Sequence, residues 1–213
     1  MTRTLPLLVT TLLALCSWPA LANPLLNCPE KESSALQQAP AEVSRVAPHM
    51  LLIRWSKGIA QFIDQPPHDE PWSGRHWFYC GQDAASGLHL IRLEHESLSS
   101  GVLFDPASGR RIAAGHTVLL EPDGQRFLAI RQPNGLDGEA WLLRNRKNRT
   151  LWQGTNLISA GSRSLAELSD PHWNPQGKLA ATLRCHSQPE HAYTVSLQAD
   201  RWQPLPGCAR KAK

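Results

Sequence analysis

From Met50 onward, apolar and polar positions alternate in short runs separated by clusters of Gly, Pro, Asn, Asp and Ser. Alternation with a period of two, closed off by turn residues, predicts strands. The runs are residues 50–56, 58–64, 76–82, 87–96, 101–105, 110–114, 139–144, 149–154, 192–198 and 201–206. Three prolines in the stretch from Gln65 to Pro71 exclude a central strand and predict a loop. Residues 29–46 carry the only helix-like pattern. Glu30 and Glu32 fall in a first turn, Ala35, Leu36 and Ala39 make a narrow apolar stripe, and Pro40 ends it. A short helix or ordered arm over 23–49 is the expectation, ahead of one β domain extending to 213.

Within this pattern one motif occurs twice. TVLLEPDGQRFLAIR (117–131) and PHWNPQGKLAATLR (171–184) each read as an apolar strand, a Pro-x-Gly turn and a second strand rich in Leu and Ala. Proline presets φ at the first corner and glycine permits positive φ, so each copy predicts a hairpin. The turn glycines Gly124 and Gly177 lie 53 residues apart, about the length of a propeller blade. A larger unit emerges around them: a hairpin with a D-x-x-S-G or N-x-x-N-R corner, a linker, then the Pro-x-Gly hairpin. Val102–Arg131 and Trp141–Arg184 are two such units, and Ala192–Gly207 resembles the first half of a third.

Glu121-Pro122-Asp123-Gly124-Gln125-Arg126 and Asn174-Pro175-Gln176-Gly177-Lys178 resemble the S-P-D-G-K-x turn of TolB-type, WD40-like β-propellers. Phe104-Asp105-Pro106-Ala107-Ser108-Gly109 resembles the D-x-x-S/T-G corner of those blades, and Trp173 stands where they often carry Trp. The resemblance covers about residues 101–207. It departs from the family where Glu121 and Asn174 replace serine and Gln176 replaces aspartate. It implies an all-β, small or partial propeller-like array of antiparallel hairpin units, with room for about four blades, used as a scaffold for protein or ligand contacts without catalysis. A two-sheet β-sandwich is the alternative.

The N-terminus adds a destination. Arg3 precedes an apolar core from Leu5 to Leu15, and Ala20-Leu21-Ala22 offers a cleavage site, so residues 1–22 read as a secretory signal peptide. Leu15 before Cys16 lacks the small residue that a lipoprotein signal requires. No other stretch is apolar for long enough to span a bilayer. The remaining cysteines, Cys28, Cys80, Cys185 and Cys208, are even in number behind an export signal and predict disulfides. The pairing Cys28–Cys80 and Cys185–Cys208 is preferred, because it ties the arm to the body and brackets one hairpin. The rival, a metal site on Cys185, His186 and His191, matches no common zinc spacing.

Charge narrows the partners. The net charge of +4 falls by one with Arg3 and is spread along the chain, without the one-faced basic footprint of a nucleic-acid binder. The densest basic cluster, Arg144, Arg146, Lys147 and Arg149, occupies a hairpin corner and reads as a solvated turn. Its functional alternative is an anionic partner. His89, Ile91, Leu93 and His95 share a strand face, which reads as two partly exposed histidines at the strand's ends rather than a metal site. His95-Glu96-Ser97 cannot form a catalytic set on one strand, because neighbours point to opposite faces.

Two functions follow as expectations. The first is an exported, periplasmic, non-enzymatic binding protein of inhibitor or immunity type, without metal or cofactor, that contacts a protein partner through loops. Those loops are 65–74, 132–138 and 154–169. Trp72, Leu157, Ile158 and Arg163 are the contact residues, and a helical turn is expected at Ser164–Leu168. The alternative is a carbohydrate-active or other hydrolase domain using His and Glu residues near 89–96, with Glu94, Glu96, Asp137 and Glu139 as candidate carboxylates and Trp72 as a platform.

Overall fold

A computed structural model describes residues 25–66, 74–95, 98–132, 138–159, 165–205 and 208. The chain is all-β, and apart from β1 its strands pair in the order in which they occur. After β1 (Leu25–Asn27) and the single described helix α1 (Glu32–Gln37), a first meander contains β2 (Val43–Ala47), β3 (Met50–Trp55) and β4 (Gly58–Ile63). A second contains β5 (Arg75–Gln82), β6 (His89–His95), β7 (Leu98–Asp105) and β8 (Arg110–Ala114). A third contains β9 (Thr117–Leu120), β10 (Arg126–Arg131), β11 (Ala140–Asn145) and β12 (Thr150–Thr155), with β1 added beside β9. The fourth contains β13 (Leu157–Ser159), β14 (Leu165–Trp173), β15 (Leu179–Cys185), β16 (Gln188–Gln198) and β17 (Arg201–Gln203).

Four sheets rather than the two of a sandwich follow from the composition of the middle strands. Successive residues of a strand face opposite sides, and in β10 Phe127, Leu128, Ala129 and Ile130 are all buried. A strand that is apolar on both faces needs a sheet on each side. Three cores supply these. Leu51, Ile53 and Phe62 of the first sheet meet Tyr79, Ile91 and Phe104 of the second. The second sheet's other face, Leu90, Leu103 and Ile112, meets Val118, Leu120 and Phe127 of the third. Leu128, Trp141 and Leu143 on the third sheet's far face meet Leu168, Trp173, Leu183 and Trp202 of the fourth. Trp141 and Trp152 both pack edge-on against Trp202, with ring centroids 6.0 and 5.7 Å away. Among the described residues no core joins the fourth sheet to the first.

Both Pro-x-Gly hairpins form, as β9–β10 and β14–β15, and their glycines adopt φ of 67° and 68°. The repeat unit is phased differently from the expectation, however. The Pro-x-Gly hairpin supplies the second and third strands of its sheet, so Val102–Arg131 straddles two sheets. Placed in register, the third and fourth sheets have the same plan. β1 occupies beside β9 the position that β13 occupies beside β14. The expected N-terminal arm is therefore structural. It donates β1 to the third sheet and β2 to the first, while α1 packs on β5.

Three further expectations are corrected. The described residues of the stretch 154–169 are not an inserted loop, because Leu157↔Glu167, Ile158↔Ala166 and Ser159↔Leu165 pair as antiparallel strands. Leu165–Leu168 is strand rather than helical turn, since Ala166 and Leu168 sit in a core at 0% and 1% exposure while Leu165 and Glu167 face out. That alternation has the period of a strand. Third, His89 is not partly exposed but fully buried.

Cys28 is bonded to Cys80 and Cys185 to Cys208, which suits an oxidising compartment. The first bond links the residue after β1 in the third sheet to β5 in the second. The second closes a separation of 23 residues, for which loss of chain entropy in the unfolded state is worth about 3 kcal/mol. The Cys185→Ser/Cys208→Ser double variant is expected to lose about that much stability in urea unfolding. A loss below about 0.5 kcal/mol would show that the closed loop adds no constraint.

Candidate functional site

In an antiparallel meander, alternate connections fall at opposite ends. Here the ends of neighbouring sheets are aligned, and they differ in kind. At one end lie only tight turns: 83–88, 121–125 and 174–178 between inner strands, and 56–57, 106–109, 146–149 and 199–200 between outer ones. These turns hold themselves and one another. Asp123 Oδ1 accepts from Gln125 N at 2.9 Å, and Asn174 Oδ1 accepts from Gln176 N and Lys178 N at 3.0 and 2.9 Å. Arg146 ion-pairs with Asp105 at 3.0 Å across the second and third sheets. Glu121, 7% exposed, is gripped by the Arg126 guanidinium, which also donates to Gly177 O at 2.6 Å and lies over the Trp173 ring. The Glu121 hydrogen bond is the main cause that raises the pKa of Arg126. Glu121, where the resembled family has serine, thus fastens the third sheet to the fourth.

The other end carries the longer connections. The chain leaves the sheets there after Ile63, Arg131 and Ser159 and returns at Arg75, Ala140 and Leu165, and the two-residue connections 48–49, 96–97, 115–116 and 186–187 lie at the same end. The strand ends below are well fixed. Gln65 and Arg75 exchange backbone hydrogen bonds of 2.9 and 2.8 Å, and a bridge pairs Ser99 with Gln132. Asn156 is buried and stitches three strands. Its side-chain oxygen accepts from Glu139 N at 2.8 Å, its N–H donates to Glu139 O at 3.0 Å, and its carbonyl accepts from Leu168 N at 2.7 Å. Glu139 Oε2 accepts the Trp141 indole N–H at 2.9 Å. Nearby, burial lowers the pKa of His116, the Glu139 charge opposes that shift, and Arg92 reinforces it. Its Nδ1 is buried without a partner. Arg92 ion-pairs with Glu94 at 2.9 Å and lies over Phe78. This end presents Ile63 at 46% and Leu165 at 55% exposure above a hydrogen-bonded polar floor, while the turn end presents Ile59 at 52% and Leu151 at 42%.

The sequence-derived contact residues meet this end unevenly. Trp72 and Arg163 lie outside the described residues, as do Glu96, Ser97 and Asp137. Leu157 and Ile158 are half-buried in β13, with Ile158 packed on the core between the third and fourth sheets. The exposed apolar residue of that hairpin is Leu165. Its position opposite Ser159 was hidden as long as the segment read as loop. His116 and Arg92 carried no sequence signal, since His116 is a lone polar residue between two strand runs and Arg92 a lone basic residue inside one. Of the described candidate carboxylates, Glu94 is spent on Arg92 and Glu139 on Trp141. Among the described residues no group of three or more His, Cys, Asp and Glu could hold a metal ion. Cys185 is committed to its disulfide.

His89 belongs to the core instead. Tyr79 Oη lies 3.2 Å from its Nδ1, Gln82 Nε2 lies 3.4 Å from its Nε2, and Phe104 stands on its other side. His89 and His95 stand at opposite ends of β6, about 20 Å apart at the rise of a strand, so they cannot share a ligand. No family model, curated protein or solved structure matches the chain, and the functional reading rests on its residues alone.

Burial lowers the pKa of His89 to about 4, with the Glu42 charge opposing the shift. An unfolded histidine titrates near 6.5, so the unfolded chain takes up a proton that the native one refuses. Stability contributed by neutral His89 is intact above pH 6.5 and is lost as pH falls towards 4. Wild type is expected to lose about 2 kcal/mol between pH 7 and pH 5 on this account, and His116 adds to the loss in the same direction. His89→Gln should flatten that slope in urea unfolding. An unchanged slope would show that another group carries the pH dependence.

Proposed function

We propose that this protein is an exported, periplasmic, non-enzymatic binding protein that engages a protein partner through the end bearing its longer connections, in the manner of an inhibitor or immunity protein. In this reading the array is propeller-like and related to the WD40-like type, and residues 1–22 are its export signal. The observation that carries the reading is the contrast between the two ends. One end consists of short turns whose polar groups are mutually satisfied. The other carries the two longest helix-free connections between strands, 64–74 and 132–139, above a hydrogen-bonded floor and exposes Ile63 and Leu165. Rigid sheets that position variable loops are the usual architecture of a recognition surface, and exposed apolar residues on such a surface serve as anchors. Two disulfides suit a protein that must persist outside the cell's reducing interior.

The reading is tested by capture from a periplasmic extract with mass-spectrometric identification, using wild type, the loop-end variants Ile63→Glu and Leu165→Glu, and the turn-end variants Lys147→Glu and Gln176→Glu. A protein partner captured by wild type and by both turn-end variants, with binding weakened at least tenfold in a loop-end variant of unchanged melting temperature, is the expected result. Recovery of no protein partner, or loss of capture in the turn-end variants alone, would overturn it.

A further inference from the structure

The outer edge of the second sheet is closed by guanidinium groups from the third. Arg131 Nε donates to Ala114 O at 3.0 Å, and Arg144 Nη1 donates to Ala113 O at 3.2 Å. Both side chains project from the face of β10 and β11 that carries Phe127, Ala129 and Leu142, and they reach two consecutive carbonyls of β8. Capping an edge strand with charge blocks its pairing with another chain. One arginine donor per carbonyl would suffice for that. Much of each guanidinium is left over.

Arg144 uses Nη1 a second time, on Asn148 Oδ1 at 2.6 Å, and its buried Nε has no partner. Among the described residues, Arg131 donates only from Nε, and neither arginine has a carboxylate within ion-pair distance. Burial lowers the pKa of Arg131, and the Arg144 charge lowers it further, so the two cations feel each other, with no carboxylate of the described residues in ion-pair distance of either. Asp105, an acid on this flank, is taken up by Arg146, by Ala107 N and by Ser108 Oγ. Arg110 reaches Lys147 O on the same flank and adds positive potential. A planar, always-charged fork with unspent donors is suited to oxyanions with two or more acceptor oxygens.

We infer that the seam between the β8 edge and the β10–β11 face is an oxyanion-binding site, in which Arg131 and Arg144 together hold a phosphate-type or carboxylate group. The anion bridges the free terminal nitrogens of the two arginines, while their bonds to Ala113 O and Ala114 O keep the forks in place. The basic corner that stands out in the sequence, Arg146, Lys147 and Arg149, attracts the anion towards the seam without forming the site. This site is independent of the loop-end surface, and its failure would leave the partner reading untouched.

The test uses the disulfide-intact chain at constant ionic strength, with chloride exchanged for inorganic phosphate in one series and for a hexaglutamate peptide in the other. The readout is the NMR signal of the arginine Nε–Hε groups. Saturable shifts of Arg131 and Arg144 are expected, with Arg54, an exposed arginine of the first sheet, responding only as bulk salt dictates. Arg131→Gln and Arg144→Gln should each weaken binding at least tenfold. Arg131→Lys, which keeps the charge and loses the fork, should fall between them and wild type. Saturation by phosphate marks a free anion, and tighter saturation by hexaglutamate marks the side chains of an acidic protein. Non-saturable shifts that match those of Arg54 in both series would overturn the site, and this result needs only wild type.

Discussion

The fold depends on the double-sided burial of its two middle sheets. A sheet with one apolar face can end against water, but β5–β8 and β9–β12 have apolar residues on both faces and are unstable without a neighbour on each side. The requirement passes along the chain. The second sheet needs the first and the third, and the third needs the fourth. Each interface is a separate core with its own aromatic residues: Phe62 and Phe104 in one, Phe78 and Phe127 in the next, Trp141, Trp173 and Trp202 in the last. What the sequence shows as a train of short apolar runs is thus a stack of mutual obligations, each met by the next segment of chain.

Polar groups at the margins of this stack have a corresponding task, because sheets of unequal width leave carbonyls at their edges. Arg111 of the second sheet donates to Gln61 O of the first at 2.6 Å and lies over Phe62. Arg131 and Arg144 of the third sheet serve the second, and Trp152 of the third donates its indole N–H to Asp200 O of the fourth at 3.1 Å. At the first sheet's inner side, Arg45 joins α1, β2, the end of β4 and β5 by donating to both oxygens of Glu32, to one of Asp64 and to Trp77 O. These charged side chains, spread along the sequence, lie in space where one sheet overlaps the next.

Much of this was legible beforehand because strand period, turn chemistry and cysteine parity are local signals. The Pro-x-Gly turns needed only a proline, a glycine and their flanking apolar runs to be located correctly. β1 and β13 escaped because each is three residues long, too short for a period to be seen. Their existence is decided by the strand beside which they lie. β14 was truncated in the reading because Ser169, Asp170 and Pro171 interrupt its pattern, and the structure accommodates them with a register shift between Ser169 and His172. The burial of His89 could not be read from β6 alone, because the residues that enclose it, Tyr79, Gln82 and Phe104, come from β5 and β7. Loop-borne candidates were the least legible, since anchors such as Leu165 are defined by which side of a hairpin faces out.

The donation of β1 to the third sheet sets an order of events. In a chain made from its N-terminus, β1 emerges first, yet its partner β9 lies beyond the whole of the first two sheets. The contact between Leu25 and Leu119 therefore closes one of the longest loops in the molecule, the slowest kind of contact to find by diffusion. The Cys28–Cys80 bond changes that search. It can form as soon as β5 has arrived, before any residue of β9, and it then holds the N-terminal segment beside the second sheet, against which the third will assemble. The segment that arrives first is kept waiting at the place where it will be needed.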